Sequence, residues 1–153
     1  RKAVLYSAGY NIENYNSKQI GELFDKNIKT IKNKGNEQFT YYISSNGDYI
    51  FLVHGNGLWG EIDAIIALKN DFKTISGVEF IKQNETPGLG ARISEFWFKE
   101  QFRSKIIPLE MVKEGESGDS THFEAITGAT ATSNAVLKMF DNELQILIKN
   151  LVE

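Results

Sequence analysis

The segment richest in hydroxyl groups, Thr127-Gly-Ala-Thr130-Ala-Thr-Ser133, comes directly before a long amphipathic stretch that predicts a helix. The first N–H groups of a helix have no partner inside it, and the helix dipole adds about half a positive charge there. A phosphate is stabilised in such a place, and Gly128 lets the main chain approach it closely. The alternative is that Thr132 or Ser133 is only the N-cap of the helix.

Two glycine-rich segments have the composition to receive a flat ligand. Glu85-Thr-Pro-Gly-Leu-Gly90 follows a predicted strand, and its proline and glycines favour a fixed turn with space beside the main chain. Gly55-Asn-Gly-Leu-Trp-Gly60 sets a large aromatic ring and a leucine among glycines, which suits stacking on an aromatic ligand. The alternatives are a surface turn with an incidental charge for the first segment, and a core tryptophan at Trp59 for the second.

Composition excludes several kinds of chemistry. The chain has no cysteine, which excludes thiolate-bound iron–sulfur clusters and cysteine nucleophiles, so redox chemistry would need an organic cofactor. A net charge of -3 argues against nucleic acid as a partner. His54 and His122 are the only histidines, and neither has the spacing or the convergent carboxylates of a zinc site. We therefore expect no metal. The scarcity of histidine and the lack of a strand-to-helix nucleophile elbow also argue against a Ser-His-Asp hydrolase, and no catalytic side chain is expected.

The elements around these segments predict an α+β fold with a single antiparallel β-sheet flanked by N- and C-terminal helices. Ser17 is the expected N-cap of a helix over 18–32, and Asn46-Gly47 is the expected turn of a hairpin. The predicted strands are 39–44, 48–54, 62–68 and 75–81, followed by a short helix over 94–102, a polar loop over 113–121 and a helix over 133–151. Without repeats or a Pro-rich linker, residues 1–153 are expected to form one domain.

Gly57-Leu-Trp-Gly60, Glu85-Thr-Pro-Gly-Leu-Gly90 and Thr127-Gly-Ala-Thr130, in this order, resemble the FMN-binding domain family. The resemblance covers roughly residues 56–147. Within the family, the chain is similar to the FMN-carrying subunits of two membrane complexes. These are the G subunit of the Rnf electron-transport complex and the C subunit of the sodium-translocating NADH:quinone oxidoreductase. The string that follows Gly60, Glu61-Ile-Asp-Ala, slightly favours the Rnf-like form.

The resemblance implies that FMN is joined through its phosphate to the hydroxyl of Thr130, in a phosphoester made by a dedicated flavin transferase. Glu124 stands where the family's motif usually has aspartate, and recognition by the transferase is implied for it. The segments around Trp59 and Glu85 are implied to approach the ring and the ribityl chain. The full set of implied cofactor-binding residues is Thr127, Gly128, Ala129, Thr130, Thr132, Ser133, Glu85, Thr86, Pro87, Gly88, Leu89, Gly90, Leu58 and Trp59.

The function implied by the resemblance is an electron relay in an ion-translocating oxidoreductase of the inner membrane. Its partners would be the other membrane subunits and the transferase, and no small-molecule substrate pocket is expected. The soluble domain would lie on the extracytoplasmic side, carried by an N-terminal transmembrane helix absent from this chain, which begins at Arg1. The alternatives are a module that binds FMN reversibly, a structural docking module without covalent flavin, and a flavin-dependent reductase, which would need a general acid in a cleft.

Overall fold

A five-stranded antiparallel sheet with the strand order β1-β2-β3-β4-β5 forms the centre of the computed structural model, which describes residues 1–151. The predicted sheet with helices at both ends of the chain is confirmed. The strands are β1 (Ile28–Lys34), β2 (Gln38–Ser44), β3 (Tyr49–Asn56), β4 (Glu61–Leu68) and β5 (Ile75–Lys82). The helices are α1 (Lys2–Ser7), α2 (Ser17–Asn27), α3 (Phe96–Glu100) and α4 (Thr130–Lys149), and a 3₁₀ turn (Gly90–Ser94) precedes α3.

Helices cover both faces of this sheet, so its central strands are buried on both sides. Strand β4 shows this best, because it is buried at Ile62 and continuously from Ala64 to Leu68. Phe51 and Val53 of β3 belong to the core on the α4 side, and Ile50 points to the other core, which α1 and α2 close. This alternation of apolar residues between two packed faces fixes the register of the strands.

The predicted helix over 18–32 is correct only as far as Asn27. Ile28–Lys34 is a strand that pairs with all of β2, from Ile28 opposite Ser44 to Lys34 opposite Gln38. The predicted N-cap Ser17 is also wrong, because Asn16 caps the helix. The Asn16 carboxamide oxygen accepts the N–H of Gln19 at 2.9 Å, and the Gln19 side chain accepts the N–H of Asn16 at 2.9 Å, which is a capping box.

The remaining elements agree with the predictions in type and differ in their ends. The β2–β3 hairpin is present, and its turn includes Gly47 at a φ of 89°. The helix predicted over 94–102 is shorter than expected, and the last helix begins at Thr130 rather than at Ser133. Helix α1 and the short strands β6 (Glu110–Val112) and β7 (His122–Glu124) were not predicted, and β6 and β7 pair in parallel on either side of the polar loop. Among residues 1–151, no helix has the length and apolar character needed to cross a membrane.

Candidate functional site

The side chain of Glu85 joins the three segments that the sequence singled out. It is only 5% exposed, and its carboxylate accepts three hydrogen bonds. Oε1 accepts the N–H of Leu58 at 2.7 Å and the hydroxyl of Thr132 at 2.9 Å, and Oε2 accepts the N–H of Trp59 at 2.9 Å. The charge at Glu85 is therefore not incidental, because a buried carboxylate is tolerated only when it is well hydrogen-bonded.

The carboxylate reaches its partners because two neighbouring positions are glycine. A Cβ on Gly57 would lie 2.5 Å from Glu85 Oε1. A Cβ on Gly90 would overlap the hydroxyl of Thr132 and lie 2.8 Å from Glu85 Cβ. Side chains at either position would push the segments apart, so these glycines are required for close approach.

Thr130, the expected attachment residue, is the first residue of α4 and is exposed to solvent. The N-cap is Ala129, and no side chain caps the helix. Thr132 donates to Glu85 instead, and the Ser133 hydroxyl donates to the carbonyl of Ala129 at 3.0 Å and accepts the N–H of Ile126 at 3.0 Å. The interpretation of Thr132 or Ser133 as an N-cap is therefore wrong.

Exposed apolar side chains lie on the two segments that Glu85 joins to this helix terminus. Trp59 is 69% exposed, Leu58 60% and Leu89 45%, so the interpretation of Trp59 as a core residue is wrong. Leu89 reaches the helix terminus, since a Cβ on Gly128 would lie 3.4 Å from Leu89 Cδ2. Thr86, Pro87 and Gly88 are exposed as well. Exposed apolar side chains next to one another commonly mark a binding surface.

A surface cleft of about 690 Å³ opens beside Thr130, and one of its walls was not anticipated from the sequence. Residues 125–128 form one wall, of which Thr127 and Gly128 belong to the predicted site, and the other wall contains Met111, Val112, Lys113, Glu114 and Glu116. The Glu114 carboxylate accepts the N–H of Thr127 at 3.2 Å. The sequence carries no local signal for this wall, because the parallel pairing of β6 with β7 brings it there.

Strand β7 holds the polypeptide that leads into α4. The main chain of its last residue, Glu124, exchanges two hydrogen bonds with the Gln101 side chain. The Glu124 N–H donates to Gln101 Oε1 at 2.7 Å, and Gln101 Nε2 donates to the Glu124 carbonyl at 3.0 Å. The Glu124 carboxylate accepts the N–H of Gly115 at 2.5 Å, in the polar loop between β6 and β7. Phe123, before Glu124, and Ile126, two residues after it, are both fully buried. The approach to Thr130 is thus anchored by packing as well as by hydrogen bonds.

Two carboxylates converge on His54 and one lies beside His122, contrary to the expectation from local spacing. His54 and Asp63 are cross-strand partners in β3 and β4, and His54 Nδ1 lies 2.7 Å from Asp63 Oδ1 and 3.6 Å from Glu61 Oε1. His122 Nε2 lies 3.1 Å from Glu110 Oε2 in the neighbouring strand. Strand register produces both pairs, which sequence spacing does not reveal. That the protein binds no metal stays a prediction.

A larger cleft of about 1220 Å³ lies elsewhere on the surface and is lined by none of the predicted site residues. Tyr6 lies in it and donates to Glu100 Oε2 at 2.8 Å. Burial raises the pKa of Tyr6 to about 12, and the Glu100 carboxylate adds to the rise while Arg103 opposes it. The Tyr6 hydroxyl therefore keeps its proton at physiological pH and donates it in the hydrogen bond to Glu100.

Known proteins are similar to this chain in both sequence and fold. The sequence pattern of the family described as FMN-binding domain matches residues 57–145. The C subunit of Na(+)-translocating NADH-quinone reductase from Vibrio vulnificus (strain YJ016) is 38% identical over 112 residues, which are 65% of this chain and 44% of that protein. The same subunit from Vibrio alginolyticus is 30% identical over 128 residues, 76% of this chain and 50% of that protein. The chain thus spans half the length of these relatives or less.

Two solved structures resemble the whole chain. The crystal structure of the C subunit of Na(+)-translocating NADH-quinone reductase from Parabacteroides distasonis has a TM-score of 0.78 at 28% identity and covers 99% of this chain and 90% of that one. NqrC from Shewanella oneidensis has a TM-score of 0.77 at 19% identity, covers 97% and 95%, and supports the fold alone. Because the family pattern matches more than half of the chain and includes Gly57, Glu85 and Thr130, the chain belongs to the FMN-binding domain family.

Proposed function

We propose that this chain carries one FMN, esterified through its phosphate to Thr130, and serves as an electron-transfer subunit of a sodium-translocating NADH–quinone reductase. The observation that carries the proposal is the position of the Thr130 hydroxyl. It is exposed at the first residue of a 20-residue helix and lines a cleft, and Glu85 joins that helix to the turn that carries the exposed Leu58 and Trp59. The subunit type comes from the names of the relatives.

The surroundings of Thr130 suit a phosphate held by a covalent bond. The uncapped N-terminus of α4 stabilises negative charge. The cleft beside it contributes Lys113 but also the carboxylates of Glu114 and Glu116, so one positive and two negative groups leave a formal charge of -1. Electrostatic attraction alone would retain a dianionic phosphate weakly there, which favours the ester over reversible binding.

The exposed apolar side chains suit the ring. Leu58 and Trp59 offer an apolar edge beside the main chain, and Leu89 with the turn at 86–88 offers a second one next to Gly128. These surfaces would exclude water from part of a flat aromatic group. When bound, FMN accepts and donates one or two electrons. Thr130 acts only as the tether.

Glu85, the buried carboxylate of the site, is not available as an acid or base for a substrate. Glu85 accepts three hydrogen bonds from groups of the protein itself, and it is buried beneath the segments rather than presented to a ligand. This disfavours the alternative of a flavin-dependent reductase, which needs a proton donor within reach of its substrate.

Attachment requires an activated donor, because a phosphate monoester does not condense with a hydroxyl in water. In the proposed step the Thr130 hydroxyl loses its proton and forms a bond to the phosphorus of the FMN unit of FAD. The phosphoanhydride bond of FAD breaks, and AMP leaves. No oxidation state changes in this step, so it needs no oxidant. A flavin transferase would catalyse the step, with Glu124 among the residues it recognises.

The assembly and the location extend the same proposal. The partners would be the other subunits of a membrane complex. We propose residues 1–153 as one FMN-binding domain on the extracytoplasmic side of the inner membrane, attached through an N-terminal transmembrane helix. The relatives described above all belong to the NADH–quinone reductase, so they give no support to the slight preference for an Rnf-like form.

Intact-mass analysis after co-expression with a flavin transferase and export to the periplasm tests the proposal. We expect a mass increment of one FMN less one water, confined to the peptide that contains Thr130. Thr130→Ser keeps a hydroxyl and should be modified, whereas Thr130→Ala should not. Thr30→Ala, which removes an exposed threonine of β1, is the matched control and should be modified fully. An increment that persists in Thr130→Ala would refute the attachment site.

The same experiment separates the alternatives. A yellow protein that releases its FMN on denaturation, with an unchanged polypeptide mass, would favour reversible binding. A colourless protein from cells that contain an active transferase would favour the structural docking module. Steady oxidation of NADH by the isolated protein would favour the reductase.

A further inference from the structure

We propose that Glu85 is a positioning residue that holds the β3–β4 turn, residues 57–60, against the first turn of α4 in the form that receives flavin. This inference rests on the proposed function and concerns the order of the site before the cofactor is attached. The residue would act through the main chain of Leu58 and Trp59 and through the Thr132 hydroxyl, without contact with the reacting atoms.

The turn has few other attachments. Within it, one main-chain hydrogen bond runs from the N–H of Gly57 to the carbonyl of Gly60, at 2.7 Å. Its two large side chains, Leu58 and Trp59, are mostly exposed and contribute little packing. The hydrogen bonds from their N–H groups to Glu85 are therefore the main connection between the turn and the rest of the site.

Helix α4 is connected by the same carboxylate. Thr132 lies two residues after Thr130 in the first turn of the helix, and its buried hydroxyl donates to Glu85 Oε1, which also accepts from Leu58. A single oxygen atom thus links the turn that carries Trp59 to the helix turn that carries Thr130. Movement of the carboxylate would release both together.

All three partners of Glu85 are donors, and this makes the charge state of the side chain important. A carboxylate accepts on both oxygens, whereas the carboxamide of glutamine accepts on only one. In Glu85→Gln, an NH₂ group would face the N–H of Trp59 or of Leu58. The variant keeps the size of the side chain and removes at least one of the hydrogen bonds that hold the turn.

The test uses the purified full-length protein before flavin attachment, with FAD and a flavin transferase as the probes. In Glu85→Gln we expect hydrogen exchange of the Leu58 and Trp59 amides to become about tenfold faster, because the variant loses one hydrogen bond to a charged group. We expect the KM of the transferase for the protein to rise, by up to about tenfold, with kcat nearly unchanged, because only the ordered fraction is captured. Glu22→Gln, an exposed glutamate of α2, is the matched control and should change neither.

Several outcomes would decide against the inference. Equal exchange and equal KM in Glu85→Gln and wild type would refute it, and so would faster exchange with an unchanged KM. If Glu85→Gln does not fold, Thr132→Val removes one of the same hydrogen bonds and should raise the KM by a smaller factor. Wild-type protein that takes up no flavin would refute the proposed function instead, while the exchange rates still report on the turn.

Discussion

Replacement of Thr132 by valine should destabilise the protein through a single lost hydrogen bond. Valine keeps the shape and the β-branching of threonine, so the change leaves neither a cavity nor a different helix propensity. It removes the hydroxyl that donates to Glu85 Oε1 at 2.9 Å. A hydrogen bond to a charged buried group contributes about 1.5–3 kcal/mol. Because Glu85 keeps the N–H groups of Leu58 and Trp59, we expect the lower end, about 1.5–2 kcal/mol.

Urea unfolding measures this difference, and a fall in Tm of roughly 3–8 °C should accompany it for a chain of this size. Thr30→Val, at an exposed position of β1, is the control and should change stability by less than about 0.5 kcal/mol. The double variant with Glu85→Gln should show a coupling of at least about 0.5 kcal/mol. A cost below about 0.5 kcal/mol for Thr132→Val, or additive effects in the cycle, would refute the reasoning.

Three further variants test the surrounding fold. Gly90→Ala should cost about 1–3 kcal/mol in urea unfolding because its Cβ would overlap the Thr132 hydroxyl, whereas Gly118→Ala, with nothing within 4 Å of its Cβ, should be nearly neutral. Asn16→Ala should cost about 1 kcal/mol in the same assay through loss of the capping box, and no loss would mean that the cap is not formed in solution. Hydrogen bonds from Thr74 and Lys73 lower the pKa of Asp71 to about 2, so its stabilising effect is present above about pH 4 and is lost as the pH falls through 2. The advantage of wild type over Asp71→Asn, under about 1 kcal/mol at this exposed site, should therefore shrink between pH 5 and pH 2, and a constant difference would contradict it.

Local patterns predicted the elements that stand out in composition or spacing. The strands at 62–68 and 75–81 were identified as short apolar, β-branched runs separated by a polar turn, and the final helix because its apolar residues recur at helical spacing. The same patterns failed at Ile28–Lys34. Its isoleucines continue the helical spacing of α2, but seven residue pairs with β2 decide its conformation. A strand partner that lies later in the chain overrides local propensity.

The histidine pairs and the second wall of the cleft show the same limit. His54 meets Asp63, and Lys113 lines the same cleft as Thr130, only through strand register and the parallel β6–β7 pair. No spacing rule within one segment anticipates contacts between segments. The exposure of Trp59 was likewise undecided from the sequence, because glycines flank core and surface tryptophans alike.

The sequence by itself determined the kinds of residue at the site: a threonine at a helix start, a glutamate beside glycines, and an aromatic residue in a turn. Its family resemblance selected Thr130 among the hydroxyl groups. Only the tertiary structure decided that Glu85 lies buried between Trp59 and Thr132, because its three hydrogen bonds join residues 26 to 47 positions apart. A carboxylate has the same formula in a surface turn and in a buried network, and packing alone distinguishes the two.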